Sequence, residues 1–273
     1  MSGSRIKTMV IAMLVLINIV FLTVIGMDTV ADAQSERQAL INACTVLQNG
    51  GITIDPSNVK TSGALRAMRT ARVDEAESII ARTFLGITEM TDQGVIYLYE
   101  NGERGKARFY SAGDFEILLY GGVVGSSGGA LRTVQRLMRD MNLEASSLLL
   151  SSGQGHETVT AICAIRGVTV FNCTIEFVFR GGYLERVEGR YLSGIEIAED
   201  GAEISSAGTA LLGFLAWVRR ESVDCSRIYS VEAGYHHRVS GSFGEGLIIP
   251  VWMITTDSGK YILDDATGEV WVF

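Results

Sequence analysis

Residues 125–129 read Gly-Ser-Ser-Gly-Gly, the G-x-S-x-G spacing that holds a serine hydroxyl on a sharp strand-to-helix turn. With Ser127 as the nucleophile, Asp224 and then His236 or His237 follow in the Ser, Asp, His order of an α/β hydrolase. Acyl transfer by a cell-envelope serine hydrolase is therefore one expectation. The same glycines do not make a phosphate loop, because no Lys-Ser or Lys-Thr follows to supply the ammonium and the magnesium-binding hydroxyl. Tyr235-His236-His237 offers two imidazoles, but adjacent strand residues point to opposite faces and no ligand-spaced Cys, His or Asp cluster accompanies them. The pair reads as a surface or partly packed one, and neither a metal nor a cofactor is expected.

Cys44, Cys163, Cys173 and Cys225 contain no C-x-x-C, so neither a zinc knuckle nor a thioredoxin-type site is indicated. If residues 167–169 form a three-residue hairpin loop, Cys163 stands opposite Cys173. Both then lie on apolar rows, Val159, Ala161, Cys163 and Ile165 on one strand and Phe171, Cys173, Ile175 and Phe177 on the other. Outside a cell a disulfide between them is allowed, and two buried reduced thiols are equally allowed.

The elements that would position these residues are short and alternate in kind. Amphipathic helices are expected at 35–48, opened by a Ser35/Gln38 capping box and closed by Asn49-Gly50-Gly51, and at 74–85, opened by Asp74 and Glu77 and stopped by Gly86. A third is expected at 130–142, on Leu131, Val134, Met138 and Met141, and a fourth at 207–220, on Leu211, Phe214, Leu215 and Val218. Strand-like runs with turn signals lie between them: 95–100, 106–111 and 115–120, then 147–151, 157–166, 169–180 and 183–192, and lastly 226–235, 247–256, 260–263 and 269–273. Helices followed by antiparallel meanders make an α+β fold. Such meanders argue against the hydrolase, whose sheet needs alternating parallel β-α units. Two units are expected, a juxtamembrane helix with a first α+β unit over 28–122 and a larger one over 129–273, dividing near 121–129.

Ahead of them, residues 9–27 form a run of 19 without a charge; as a helix it would be roughly 28 Å long, enough to span a hydrocarbon core. Arg5 and Lys7 precede it and Asp28 and Asp32 follow, which places the amino terminus in the cytoplasm and the bulk of the chain outside the cell membrane. Ala31-Asp32-Ala33 before Gln34 also fits a signal-peptidase site, so cleavage after Ala33 is the competing expectation. Asn18, at the middle of the span, carries an amide best satisfied by a partner helix. Across the 273 residues, 23 Lys and Arg stand against 31 Asp and Glu, a net charge of −8. An acidic chain without a basic run repels phosphate backbones, which excludes nucleic acid as a partner.

Ser4-Arg5-Ile6-Lys7-Thr8 before a single apolar span resembles the start of the YycI-type regulatory proteins of Gram-positive bacteria. Near the other end, Pro250-Val251-Trp252, Ser258-Gly259-Lys260-Tyr261 and Asp265-Ala266-Thr267-Gly268-Glu269-Val270 resemble the terminal hairpins of YycH/YycI and PepSY-like units. The resemblance implies a non-enzymatic, single-pass regulatory protein. Such proteins associate through their span and ectodomain with a cell-wall-linked sensor histidine kinase of a two-component system, and with a companion YycH-like protein. An anchored or secreted ligand-binding module is the remaining alternative.

Overall fold

The computed structural model describes residues 34–111, 113–126, 128–153, 155–199, 201, 203–239, 245–264 and 266–273. The 9–27 span with Asn18, the Ala31-Asp32-Ala33 segment, Ser127 and Asp265 lie outside the described residues. Among the described residues no helix is long and apolar enough to cross a membrane.

Helix α1, residues 34–49, buries Ala43, Cys44 and Leu47, and its exit turns on Gly51 at φ +88°. Gln34 and Ser35 are already helical, so Ser35 is not the cap expected of it. The chain then runs through β1 (Val59–Lys60) and β2 (Met68–Thr70) to helix α2 (Asp74–Leu85). Strands β3 (Glu89–Asp92), β4 (Ile96–Asn101), β5 (Gly105–Tyr110) and β6 (Asp114–Leu119) follow as an antiparallel meander. The pattern repeats. Helix α3 (Ala130–Asp140) precedes β7 (Glu144–Gly153), β8 (His156–Ile165), β9 (Val168–Arg180) and β10 (Tyr183–Arg190). After β11 (Glu196–Ile197), helix α4 (Ala207–Glu221) precedes β12 (Ile228–Val239), β13 (Gly246–Thr256), β14 (Lys260–Asp264) and β15 (Glu269–Val272).

Three helix-and-meander units follow one another among the described residues, and the strands on either side of residues 121–129 belong to one sheet. The last strands of the first two meanders pair antiparallel, Ile117 beside Val187 and Asp114 beside Arg190. The sheet consequently runs β3-β4-β5-β6-β10-β9-β8-β7 without a break. One apolar row explains why the edges fused. Tyr99, Ala107, Ile117, Val187, Phe177 and Val159 are cross-strand neighbours in that order, and all are buried. Leaving either meander alone would expose the middle of that row, at about 1.5–3 kcal/mol for each large side chain. Helix α2 covers it with Ile80, Phe84 and Leu85, and α3 with Val134, Leu137 and Met138. Leu131, expected in the α3 stripe, is instead 39% exposed.

The third unit forms a second sheet in which β12 and β13 pair along their length. Strand β13 carries β2 on Gly246 to Ile248 and β14 on Trp252 to Thr255. The two sheets meet where Tyr235 on β12 pairs with Val170 on β9.

The β8–β9 turn differs from the expected loop. Ile165 pairs with Val168, leaving a two-residue turn in which Arg166 (φ +51°) and Gly167 (φ +78°) both take positive φ, the geometry of a type I′ hairpin. A register shift between Ile162 and Ala164 then takes up the difference, so that Ile162 still faces Thr174.

Candidate functional site

Two places gather the residues that connect parts of the molecule: the packing of α1 on α4, and a buried polar seam where the sheets meet. On the first, a Cβ added to Gly208 would stand 3.1 Å from the Ala39 carbonyl oxygen, and one on Gly50 would stand 3.3 Å from Leu215 Cδ1. The early part of α1 thus lies beside the first turn of α4, and the exit of α1 beside the middle of α4, which makes α1 and α4 parallel neighbours. Glycine at 208 is what lets the backbones approach so closely. The strands beyond them continue the match, because Thr53 donates its N–H to Ser226 O at 2.9 Å and Val59 pairs in parallel with Val231.

At the seam, Glu77 is 0% exposed. Its position in the first turn of α2 read as a capping carboxylate, but the N-cap, Val73, makes no side-chain bond. Glu77 instead accepts from Arg72 Nε at 2.6 Å, from an Arg72 terminal nitrogen at 3.1 Å and from Tyr191 Oη at 2.6 Å. The Arg72 guanidinium lies 3.7 Å above the Tyr97 ring. Burial works against the Arg72 charge, yet the bond and charge of Glu77 outweigh it and hold the group above its ordinary value. Tyr99 is pushed up to about 12, first by burial and then by the Glu77 charge, and Tyr191 goes up further for the same reasons. Both phenols therefore stay protonated, and Tyr191 remains a donor.

Asn172 sews β9 to β12 by accepting from His237 N–H at 2.8 Å and donating to His237 O at 2.7 Å. The His237 ring reaches Thr70 Oγ1 at 3.3 Å, while its Nδ1 and that of His236 are buried without a hydrogen-bond partner among the described residues. Burial, with Arg190 next, lowers His237 to about 4. Burial, then Arg238 and Arg190, lowers His236 to the same value. His236 packs edge-on against Trp271 at 5.3 Å. Arg190 itself is held by Asp114 through bonds of 2.9 and 3.0 Å.

Cys163 and Cys173 converge on that seam as thiols, both directed at the Arg190 carbonyl oxygen, at 3.8 and 3.2 Å. Interaction with Cys163, followed by burial, holds the Cys173 thiol well above its ordinary range. A cavity of about 10 Å³ remains between Thr70, Arg72, Tyr191 and His237, room for one water molecule.

The Gly-rich loop lies elsewhere. Ser126 N–H donates to Gly182 O at 2.8 Å, Gly125 pairs with Tyr183, and Gly128 and Gly129 take positive φ. Tyr183 and Arg190 are the two ends of β10, roughly 23 Å apart at 3.3 Å per residue. Since Arg190 is beside His237, the loop's neighbours and the histidines expected to complete a triad sit at opposite ends of one strand. Asp224 is likewise on the connection after α4, before β12. No group of three His, Cys, Asp or Glu positioned to hold a metal occurs among the described residues. Of the seam's residues, His236, His237, Cys163 and Cys173 stand out by type, whereas Glu77, Arg72 and Tyr191 are ordinary residues until the fold brings them together.

A second opening, of about 350 Å³, lies where β2 meets β13. Leu247, Ile249 and Pro250 line its apolar side, and Arg69 and Arg238 its charged side. Arg238 is tied to Asp264 at 3.2 Å and to Glu269 at 3.5 Å.

The fold is thus of the α+β class, built from helix-and-meander units on a largely antiparallel sheet. Among solved structures, the chain is similar to an uncharacterized protein from Eubacterium rectale, with a TM-score of 0.52 and 10% identity, over 78% of this chain and 88% of that one. That likeness concerns the fold alone. No family model and no curated protein matches the chain.

Proposed function

We propose that the chain is a membrane-anchored extracytoplasmic regulator that binds and modulates a cell-wall-linked sensor histidine kinase through its span and its ectodomain. The observation that carries this reading is the seating of α1. The expected span at 9–27 is followed after only six residues by the helix that packs parallel to α4 at Gly208, so the part of the body nearest the membrane in sequence is one that is packed into its core. The residues behind the resemblance also fall on fitting elements. Trp252 is buried on β13, Ser258 and Gly259 turn the chain into β14, and Thr267 and Gly268 turn it into β15. Asn18 would be the amide that pairs with the kinase's helix, and a companion YycH-like protein would complete the assembly.

The test is crosslinking in native membranes with the captured partner identified by mass spectrometry. The intact chain should capture a sensor kinase. Replacing residues 9–27 with an unrelated apolar helix should keep the chain in the membrane fraction and weaken capture, and Asn18→Leu should do part of the same, about 0.5–1.5 kcal/mol. Capture of no kinase by any version would overturn the assignment, and a soluble mature form beginning at Gln34 would replace the anchor with a cleaved signal. The cavity between β2 and β13 favours a second reading, an anchored ligand-binding module, since its volume is within the usual range for small-molecule sites.

A further inference from the structure

The eight-strand sheet ends in two free edges of opposite character. At one, β3 is four residues, all exposed, with Glu89 and Asp92 at its ends. Two copies of β3 laid antiparallel would set these carboxylates against each other, so this edge repels itself. At the other, β7 is ten residues long and pairs only with β8 among the described residues. Its one charge, Glu144, is at its first residue, where it accepts from Gly167 N–H of the β8–β9 turn at 3.0 Å. From Ala145 to Gly153 no charged residue and no proline guards the edge, and Leu149 and Leu150 are 57% and 47% exposed. A long, uncharged and partly apolar edge strand is what soluble proteins ordinarily avoid unless something pairs with it.

The sequence of that edge says what would pair. Residues 146–152 read Ser-Ser-Leu-Leu-Leu-Ser-Ser, the same in both directions. In an antiparallel pair centred on Leu149, each residue meets its own kind: Leu149 meets Leu149, Leu148 meets Leu150, and Ser147 meets Ser151. The faces agree as well. Leu148 and Leu150 pair with Ala161 and Val159 on the helix-covered side, while Leu149 pairs with Thr160 on the other. A two-fold copy would therefore extend the apolar row on the inner face and add a leucine pair on the outer. The register shift between Ala145 and Ser147 leaves Ser147 onward regular, so the palindromic core is available for ladder bonds.

We propose that β7 is a homodimer edge: two copies of this chain pair through residues 147–151 about a two-fold axis at Leu149, joining their sheets into one. The contact is isologous and closes on itself, so it yields dimers and not fibres.

The experiment uses the full-length chain with Cys225→Ser, in whole cells treated with diamide. Diamide takes two electrons and two protons from a pair of thiols, which become a disulfide as it becomes the hydrazine. Leu149→Cys should give a reducible dimer, because opposed Cβ atoms in such a pair are about 4.5–5.5 Å apart. Ser147→Cys alone should give little, whereas Ser147→Cys and Ser151→Cys chains expressed together should give a heterodimer. Thr91→Cys on β3 should give none. In detergent solution, Leu149→Lys should weaken self-association about ten-fold, equivalent to about 1.4 kcal/mol, with the melting temperature of the monomer unchanged. Three results would overturn the proposal: no dimer from Leu149→Cys, equal yields from Leu149→Cys and Ser147→Cys, or a mixed disulfide with a different protein in place of the dimer.

Discussion

Glu77 offers the sharpest test of how the first two units are held to the rest. Its carboxylate is fully buried, and among the described residues it is bonded to Arg72 and Tyr191, so a substitution leaves these partners behind in a largely dry site. Glu77→Gln preserves volume but removes the charge that balances Arg72, and its amide nitrogen turns a donor toward donors. Breaking one side of a buried pair costs about 3–5 kcal/mol; the Tyr97 ring beneath Arg72 offsets part of that, which brings the expected loss to about 3 kcal/mol. For a chain of this size that is a fall of about 6–12 °C in melting temperature. The assay is urea unfolding followed by circular dichroism at pH 7, on Glu77→Gln, Arg72→Met and the double variant Arg72→Met/Glu77→Gln. The double variant should lose less than the sum of the singles by about 2 kcal/mol, because it strands no charge. A loss below about 1 kcal/mol for Glu77→Gln, or strictly additive losses, would refute the view that this is a coupled, desolvated pair.

Other expectations follow from the same packing. His237, at about 4 in the folded chain, is below the roughly 6.5 of an unfolded histidine. As pH falls through 6.5 the unfolded chain therefore takes up the proton first, and stability present above that pH is lost on the way to 4. His237→Gln should flatten this fall by about 2–3 kcal/mol, read from urea midpoints at pH 7 and pH 4.5; an unchanged slope would remove His237 from the account. Gly208→Leu pushes side-chain atoms into the Ala39 backbone, so stability should drop by about 1–3 kcal/mol and limited proteolysis should cut after α1 sooner than in the wild type. Thiol titration of the native chain should modify Cys225 quickly and spare buried Cys44, Cys163 and Cys173. Unfolding without reductant should then release all of them, whereas release of only Cys44 would establish a Cys163–Cys173 bridge.

The strongly periodic elements were legible. Helix α2 has the bounds that its apolar spacing and Gly86 imply, and α4 needed only Glu221 added. Strands β8, β9 and β13 lie within a residue of where alternation and turn residues put them, whereas β12 starts two residues later than expected and runs four further, to Val239. Strands β1, β2 and β11 escaped notice because two or three residues cannot show a period, and their pairing depends on partners more than 120 residues away. The three-residue loop expected at 167–169 failed because Gly167 sits second in a tighter turn, with a bulge hidden in the strand. Glu77 failed in another way: a carboxylate three residues into a helix has a local use as a cap, and nothing local reveals that Tyr191, 114 residues on, will claim it.

These features bear on how a regulator of this build would work. Under the proposed reading, force enters at the span and reaches α1, which is locked to α4 and to the second sheet. From there the connections to the first sheet include the pairing of Tyr235 with Val170, the Asn172 clasp on His237 and the chain from β2 through Arg72 to Glu77 on α2. The clasp and the Arg72–Glu77 pair are each bonded at two points and largely shielded from solvent, so a displacement at the seam is passed on with little loss. The β7 edge lies at the far end of the first sheet, beyond β8, β9 and the seam. A dimer formed there would be coupled to α1 through the two packed sheets, and separation of the β7 pair would be transmitted as a change in the position of α1 rather than as local loosening.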